Sequence, residues 1–131
     1  MHCVIVSGGI DIAAEMLTRE FGFEDFAADS VMTNPDGTLT GEGYKNVDLR
    51  DKGVWVRKYQ EKYGTTKERT VSIGNSFTDI KMFENSGMSI AFNPTDDYTV
   101  EAATHVVRSR NIADILDLLI PDEDVARRRS P

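Results

Sequence analysis

Ser7-Gly8-Gly9 closes a short β-branched run, Cys3 to Val6, and opens a helical pattern. A helix start offers unpaired N–H groups and a partial positive charge, small residues let an anion reach the backbone, and a serine hydroxyl adds a donor. That combination suits a phosphate group. It also suits a plain tight turn, and Ser-Gly-Gly taken alone favours the turn. Lys52 shares an apolar helical stripe with Trp55, Val56, Tyr59 and Tyr63. An ammonium on such a stripe needs a counter-charge or an exit to water. A bound phosphate would supply the first, and a snorkelling stem near the helix start would supply the second. Gly74 to Asp79, GNSFTD, is the third candidate. Ser76 and Asp79 have capping-box spacing, which explains both without a ligand. Asn75 and Asp79 are equally oxygen donors of the kind Mg²⁺ takes, because that ion uses one or two carboxylates together with substrate phosphate. His2 and His105 have no neighbour at metal-ligand spacing.

The elements that must place these residues follow from periodicity. Ile10, Ala13, Ala14, Leu17 and Phe21 recur at helical spacing, and Gly22 ends that helix. A strand is expected around Ala27 to Met32, a turn at Asn34-Pro35-Asp36-Gly37, and a returning arm over Thr38 to Val47. This makes a Gly-rich hairpin near residues 25–48 whose register is weakly specified. A second helix is placed within Asp48 to Gly64. Thr70 to Gly87 reads as a buried strand, a sharp loop and a helix with Phe77, Ile80 and Phe83 on one face. Then come a strand over Met88 to Phe92, a short helix over Asp97 to Ala103 and a strand at His105 to Val107. A last helix carries Ile112, Ile115, Leu116 and Leu119, with Asn111 as N-cap and Pro121 as stop. Alternating strands and helices predict an α/β, Rossmann-like three-layer sandwich around a mostly parallel sheet. Residues 1–120 are expected to form that core, and 121–131, with Arg127-Arg128-Arg129, a charged disordered tail.

The order of the three motifs is more specific than any one of them. A strand-end serine, a helix lysine and a strand-end Gly-x-Ser-x-x-Asp follow the motif order of the haloacid dehalogenase superfamily. The chain resembles its phosphoserine-phosphatase-like branch over about residues 3–120. VIVSGG is similar to the second motif, DKGVWVRKY to the third, and SIGNSFTDIKMFENSGMSIAFN to the fourth and the strand after it. The resemblance implies a Mg²⁺-dependent phosphomonoester hydrolase acting on a phosphorylated small molecule. It implies that Ser7 and the Gly8 backbone hold phosphate and that Lys52 neutralises it. It further implies that Asp79, with the position of Asn75, serves the metal. Such a site works by positioning and charge neutralisation.

Two departures from the family pattern carry consequences. The aspartate nucleophile motif, Asp-x-Asp after an apolar strand, precedes motif two in this family. It is absent from these residues: Asp25 and Asp29 have the wrong spacing, and Asp96-Asp97 follows Pro94 in a loop. No catalytic nucleophile is therefore assigned, and the chain alone is expected not to turn over. Asn75 also stands where the family has aspartate, which removes a charge and should weaken Mg²⁺ binding. In related folds the motif-one strand lies between the motif-two and motif-four strands, and the cap domain lies between motifs one and two. The expected fold therefore lacks its first central strand. Its strands could close up, pair with another copy, or receive a separate N-terminal half. The alternative reading is a non-catalytic module that self-associates or binds a partner through the open edge.

Composition narrows the remaining classes. A chain of 131 residues suits one domain, and a net charge of −7 argues against nucleic-acid or acidic-membrane partners. One cysteine, Cys3, excludes an internal disulfide and fits a reducing, cytoplasmic setting. No apolar run approaches the roughly 20 residues of a membrane helix. The opening residues MHCVIVSGG are too strand-like for a signal peptide.

Overall fold

The computed structural model describes residues 1–120, so the expected tail lies outside the described residues. The order is β1 (Val4–Ile10), α1 (Asp11–Phe21), β2 (Asp25–Thr33), β3 (Leu39–Tyr44), α2 (Gly53–Lys62), β4 (Val71–Gly74), α3 (Ile80–Glu84), β5 (Met88–Phe92), α4 (Asp97–Ala102), β6 (His105–Val107) and α5 (Leu116–Leu119). Short 3₁₀ turns precede β4, α3 and α5. The strands form two separate three-stranded sheets, β1-β2-β3 and β4-β5-β6. All pairings are parallel except the β2–β3 hairpin. The architecture is the expected mixed α/β sandwich with mostly parallel strands. β1 and β4, which carry the second and fourth motifs, share no hydrogen-bonded ladder.

Each sheet has a clear local cause. Val4, Val6 and Ala27 fall on one face of the β1–β2 pair and pack with Val47, Trp55, Tyr59 and Tyr63. Strand alternation sends Ile5, Phe26 and Ala28 to the other face. In the second sheet Ser72 is buried and donates to the Met82 carbonyl of α3. Val71 and Ile73 therefore point to the opposite face.

Helix α2 ties the two sheets together. Its Tyr59 sits in the first sheet's core cluster. Its Gln60 amide donates to Thr70 Oγ1 at 3.0 Å and to the Asn85 carbonyl at 2.8 Å, on the second sheet's side. Gly53 lets α2 approach α3, since a Cβ there would stand 2.7 Å from the Lys81 carbonyl oxygen and 2.5 Å from Asn85 Nδ2.

Several sequence expectations are corrected. The α1 stripe buries only Ala14, and Leu17 and Phe21 are exposed. Phe77 does not share a buried face with Phe83: it lies in the 3₁₀ turn Phe77–Asp79 and is 66% exposed. Turn geometry there replaces the helical period on which the expectation rested. Ile112 is exposed for the same reason, in the 3₁₀ turn Ile112–Ile115. The hairpin's weak register is realised as an irregularity between Val31 and Thr33, with β3 exposed throughout.

Candidate functional site

Lys52 sits at the entry to α2 and is 8% exposed, while Asp79, which ends the 3₁₀ turn after β4, is 5% exposed. Lys52 Nζ donates to Asp79 Oδ1 at 2.7 Å. The counter-charge that Lys52 required is therefore a protein carboxylate, and the snorkelling alternative is excluded because the ammonium does not reach solvent. The second oxygen, Asp79 Oδ2, accepts the N–H of Asn75 at 2.9 Å and the N–H of Ser76 at 3.3 Å. Ser76 and Asp79 form the capping box that their spacing suggested. Cap and ion pair coexist in one carboxylate.

Local sequence holds this arrangement in place. Gly74 is required, because a Cβ there would stand 2.4 Å from Asp79 Oδ2 and 2.5 Å from its Cγ. The Asn75 carbonyl accepts both the N–H of Thr95 at 2.9 Å and its hydroxyl at 3.1 Å, tying the loop to the end of β5. Asp96 Oδ2 accepts the N–H of Phe77 at 3.1 Å, and its Oδ1 caps α4 through Thr99. The Thr99 hydroxyl and N–H hold the Asp96 carboxyl below its usual value.

The approach to Lys52 is anchored from β2. Asp29 Oδ1 accepts the N–H of Asn46 at 2.8 Å and of Val47 at 3.0 Å. Those bonds, the Val47 one foremost, hold its carboxyl below the usual range. Asp48 is paired with Arg50 in a two-pronged contact that pulls its carboxyl down to about 2. Val47 itself is fully buried, so the chain enters the site from a fixed point.

Of the five sequence candidates, the structure joins Lys52, Asp79 and the Asn75 backbone. Ser7 Oγ accepts the N–H of Gly9 at 2.9 Å, but the turn expected at Ser7-Gly8-Gly9 is corrected: these residues lie within β1, which runs to Ile10 before α1 begins at Asp11. Gly8 abuts the segment leading to Lys52: a Cβ on it would lie 2.6 Å from Leu49 Cδ2. Two contributors were not visible from spacing. Asp29 is a charged residue inside an apolar strand, and Gly53 directly follows the lysine; each oddity was the available clue. His2 stacks on Tyr63 and pairs with Glu24, and His105 contacts Thr104, so neither histidine serves this site.

A divalent cation fits this donor set poorly. Asp79 already bonds on both oxygens, Asn75 adds a neutral amide, and no group of three acidic, His or Cys side chains able to hold a metal occurs among the described residues. These side chains alone do not make a Mg²⁺ cage.

The haloacid dehalogenase-like hydrolase family model matches residues 1–84. A phosphoserine phosphatase of Methanocaldococcus jannaschii is 33% identical over 113 residues, covering 86% of this chain and 53% of that protein. One from Mycobacterium tuberculosis is 38% identical over 93 residues, covering 70% of this chain and 22% of that protein. A solved phosphoserine phosphatase in apo form superposes with a TM-score of 0.78 at 32% identity, over 86% of this chain and 56% of the other. A phospho-aspartyl intermediate analogue of phosphoserine phosphatase gives 0.78 at 31%, over 88% of this chain and 55% of the other. The chain belongs to the haloacid dehalogenase-like hydrolases, in their phosphoserine-phosphatase-like branch. It spans about half the length of the Methanocaldococcus relative and of the two solved structures, and less of the mycobacterial one. Among the described residues no helix is long and apolar enough to cross a membrane.

Proposed function

We propose that residues 1–131 contribute the phosphate-binding part of a phosphomonoester phosphatase of phosphoserine-phosphatase type, and that they do not hydrolyse esters on their own. The observation that carries this reading is the buried Lys52–Asp79 pair just beyond the carboxyl end of β4. A phosphate ester entering there meets the Lys52 ammonium, the Ser7 hydroxyl and the Gly8 backbone, which neutralise and orient it. Asp79 holds the ammonium in place and closes the loop through the Asn75 and Ser76 N–H groups. Mg²⁺, supplied with its remaining ligands from elsewhere, would add charge neutralisation of the transferring group, with Asp79 and Asn75 as this chain's weak share.

The nucleophile is the absent part. Asp79 is committed to Lys52, and Asp48 and Asp51 pair with Arg50 and Arg57. None of them stands in an Asp-x-Asp pair directly after an apolar strand. A partner carrying an Asp-x-Asp strand would complete the site. The unpaired edges of β1 and β4 support the second reading, a non-catalytic binding module of the same fold.

The test has two arms. Inorganic phosphate binding is measured by calorimetry on the chain and on Lys52→Met. Hydrolysis of p-nitrophenyl phosphate is measured with added Mg²⁺. Phosphate binding that disappears in Lys52→Met, with no turnover, is the expected result. Binding that survives Lys52→Met, or no binding at all, favours the module reading. Mg²⁺-dependent turnover by the chain alone refutes the inactive-part reading.

A further inference from the structure

We infer that Arg50 is a second phosphate-binding cation of this site, held off it by Asp48, whose carboxylate fills the guanidinium fork until an incoming phosphoryl group takes its place. The inference rests on the phosphate reading above and deepens it, by naming a further binding residue for the phosphoryl group.

The segment between Val47 and Lys52 is a short bridge with two fixed ends. Val47 is fully buried and its N–H is bonded to Asp29, while Lys52 is buried on Asp79. The bridge folds as a turn, with the Asp51 N–H donating to the Asp48 carbonyl at 3.0 Å. Leu49 and Arg50 are the two central residues of that turn. Leu49 rests on the Gly8 backbone, where a Cβ would stand 2.6 Å from Leu49 Cδ2. One chain neighbour of Arg50 therefore touches Gly8, and the residue two places on supplies the buried ammonium. Consecutive Cα atoms lie 3.8 Å apart, so those of Arg50 and Lys52 are at most about 7.6 Å from each other. Two long side chains that start this close share much of the space they can reach. Rotation about the side-chain bonds of Arg50 carries its guanidinium toward Gly8 and Lys52 with the turn left in place.

The contact that Arg50 makes in its resting position names the ligand. Its Nε donates to Asp48 Oδ1 and its terminal NH2 group to Asp48 Oδ2, each at 3.0 Å. Two parallel N–H bonds to two oxygens of one anion are also the way arginine takes a phosphate. Asp48 thus stands in for two phosphate oxygens. Its Oδ1 accepts the Arg50 N–H at 2.9 Å as well, so the carboxylate keeps a place on the turn when the guanidinium leaves. The pair is open to water, with the Arg50 side chain 89% exposed and that of Asp48 45%. Exposed pairs hold their partners weakly, so the exchange is easy. The buried Lys52–Asp79 pair has no such freedom. A phosphomonoester carries a charge of about −1.5 to −2 at neutral pH, against a single charge on the carboxylate, so the phosphoryl group wins the fork once Lys52 has drawn it in.

The test measures inorganic phosphate affinity by calorimetry, at one fixed ionic strength, on the full chain and on Arg50→Gln, Asp48→Asn and the double variant. Arg50→Gln should weaken binding by about tenfold, the loss of one charge-assisted two-pronged contact. Asp48→Asn should strengthen it by about two- to fivefold, because the competing carboxylate is gone. On the Arg50→Gln background, Asp48→Asn should change nothing further. Arg50→Lys keeps the charge and loses the fork, so it should recover only part of the tenfold. The gain in Asp48→Asn keeps the test sound, since a damaged fold cannot produce it. A surface pair that merely stiffens the turn gives a different pattern: both single changes weaken binding alike, and that result overturns the proposal. A gain in Asp48→Asn that persists without Arg50 also overturns it and assigns the gain to removal of a nearby negative charge. The two readings fail separately. Phosphate binding that is abolished by Lys52→Met and unmoved by Arg50→Gln retains the phosphate site and overturns the role of Arg50 alone. No binding by the native chain or by Asp48→Asn overturns both.

Discussion

Lys52→Met tests whether the site is organised by a truly desolvated ion pair. The side chains of Lys52 and Asp79 are 10% and 6% exposed, and their contact is 2.7 Å. Removing one partner of a buried pair costs about 3–5 kcal/mol, because the other charge stays behind unpaired. Asp79 keeps two backbone N–H donors after Lys52→Met, so about 3 kcal/mol, the lower end, applies. Asp79→Ala strands the ammonium and frees both N–H groups as well, which places it at about 4–5 kcal/mol. The double variant strands no charge and loses only the loop bonds, at about 2 kcal/mol. The coupling energy is then about 5–6 kcal/mol, well above the 0–1 kcal/mol of an exposed pair. Urea unfolding followed by Trp55, the single tryptophan, reads all four proteins. At an m-value of about 2 kcal/mol/M, Lys52→Met lowers the midpoint by about 1.5 M. A coupling below about 1 kcal/mol would refute the argument, since it would mean that water screens the pair.

Three further outcomes are expected. The folded-state carboxyl of Asp29 is depressed, so its bonds to Val47 and Asn46 stabilise the fold above the unfolded-state value and are lost as pH falls through the folded one. Asp29→Asn should lower the urea midpoint at neutral pH and flatten its decline in acid; an unchanged acid limb would count against the anchoring role. Gly74→Ala should destabilise by about 1–3 kcal/mol, because the new methyl meets the Asp79 carboxylate at 2.4–2.5 Å, and it should reduce phosphate affinity alongside. Asn75→Asp adds a second carboxylate next to Asp79 and should raise Mg²⁺ affinity by calorimetry; an equal or lower affinity would mean that Asn75 does not face the cation position.

Strand alternation, the Asn111 and Gly22 caps and the order of the three motifs were all legible in the chain. They depend on neighbours a few residues away, and on a motif order that a linear sequence preserves. Residue identity also determined that position 75 carries a neutral amide, and Asp79 a carboxylate, in the loop after β4. Only the tertiary structure decided what Lys52 pairs with. Asp79 lies 27 positions away, and a helical wheel shows a buried lysine without showing its partner. The burial of α1 and Phe77 was also decided at that level. Periodicity reports which face could be covered, whereas cover needs an opposing element, and turn geometry at Phe77 broke the period. The division into two sheets is the largest such case. Each strand reads in sequence as an ordinary apolar strand, and that β1 and β4 form no ladder, while α2 contacts both sheets, is set by tertiary packing that no local pattern encodes.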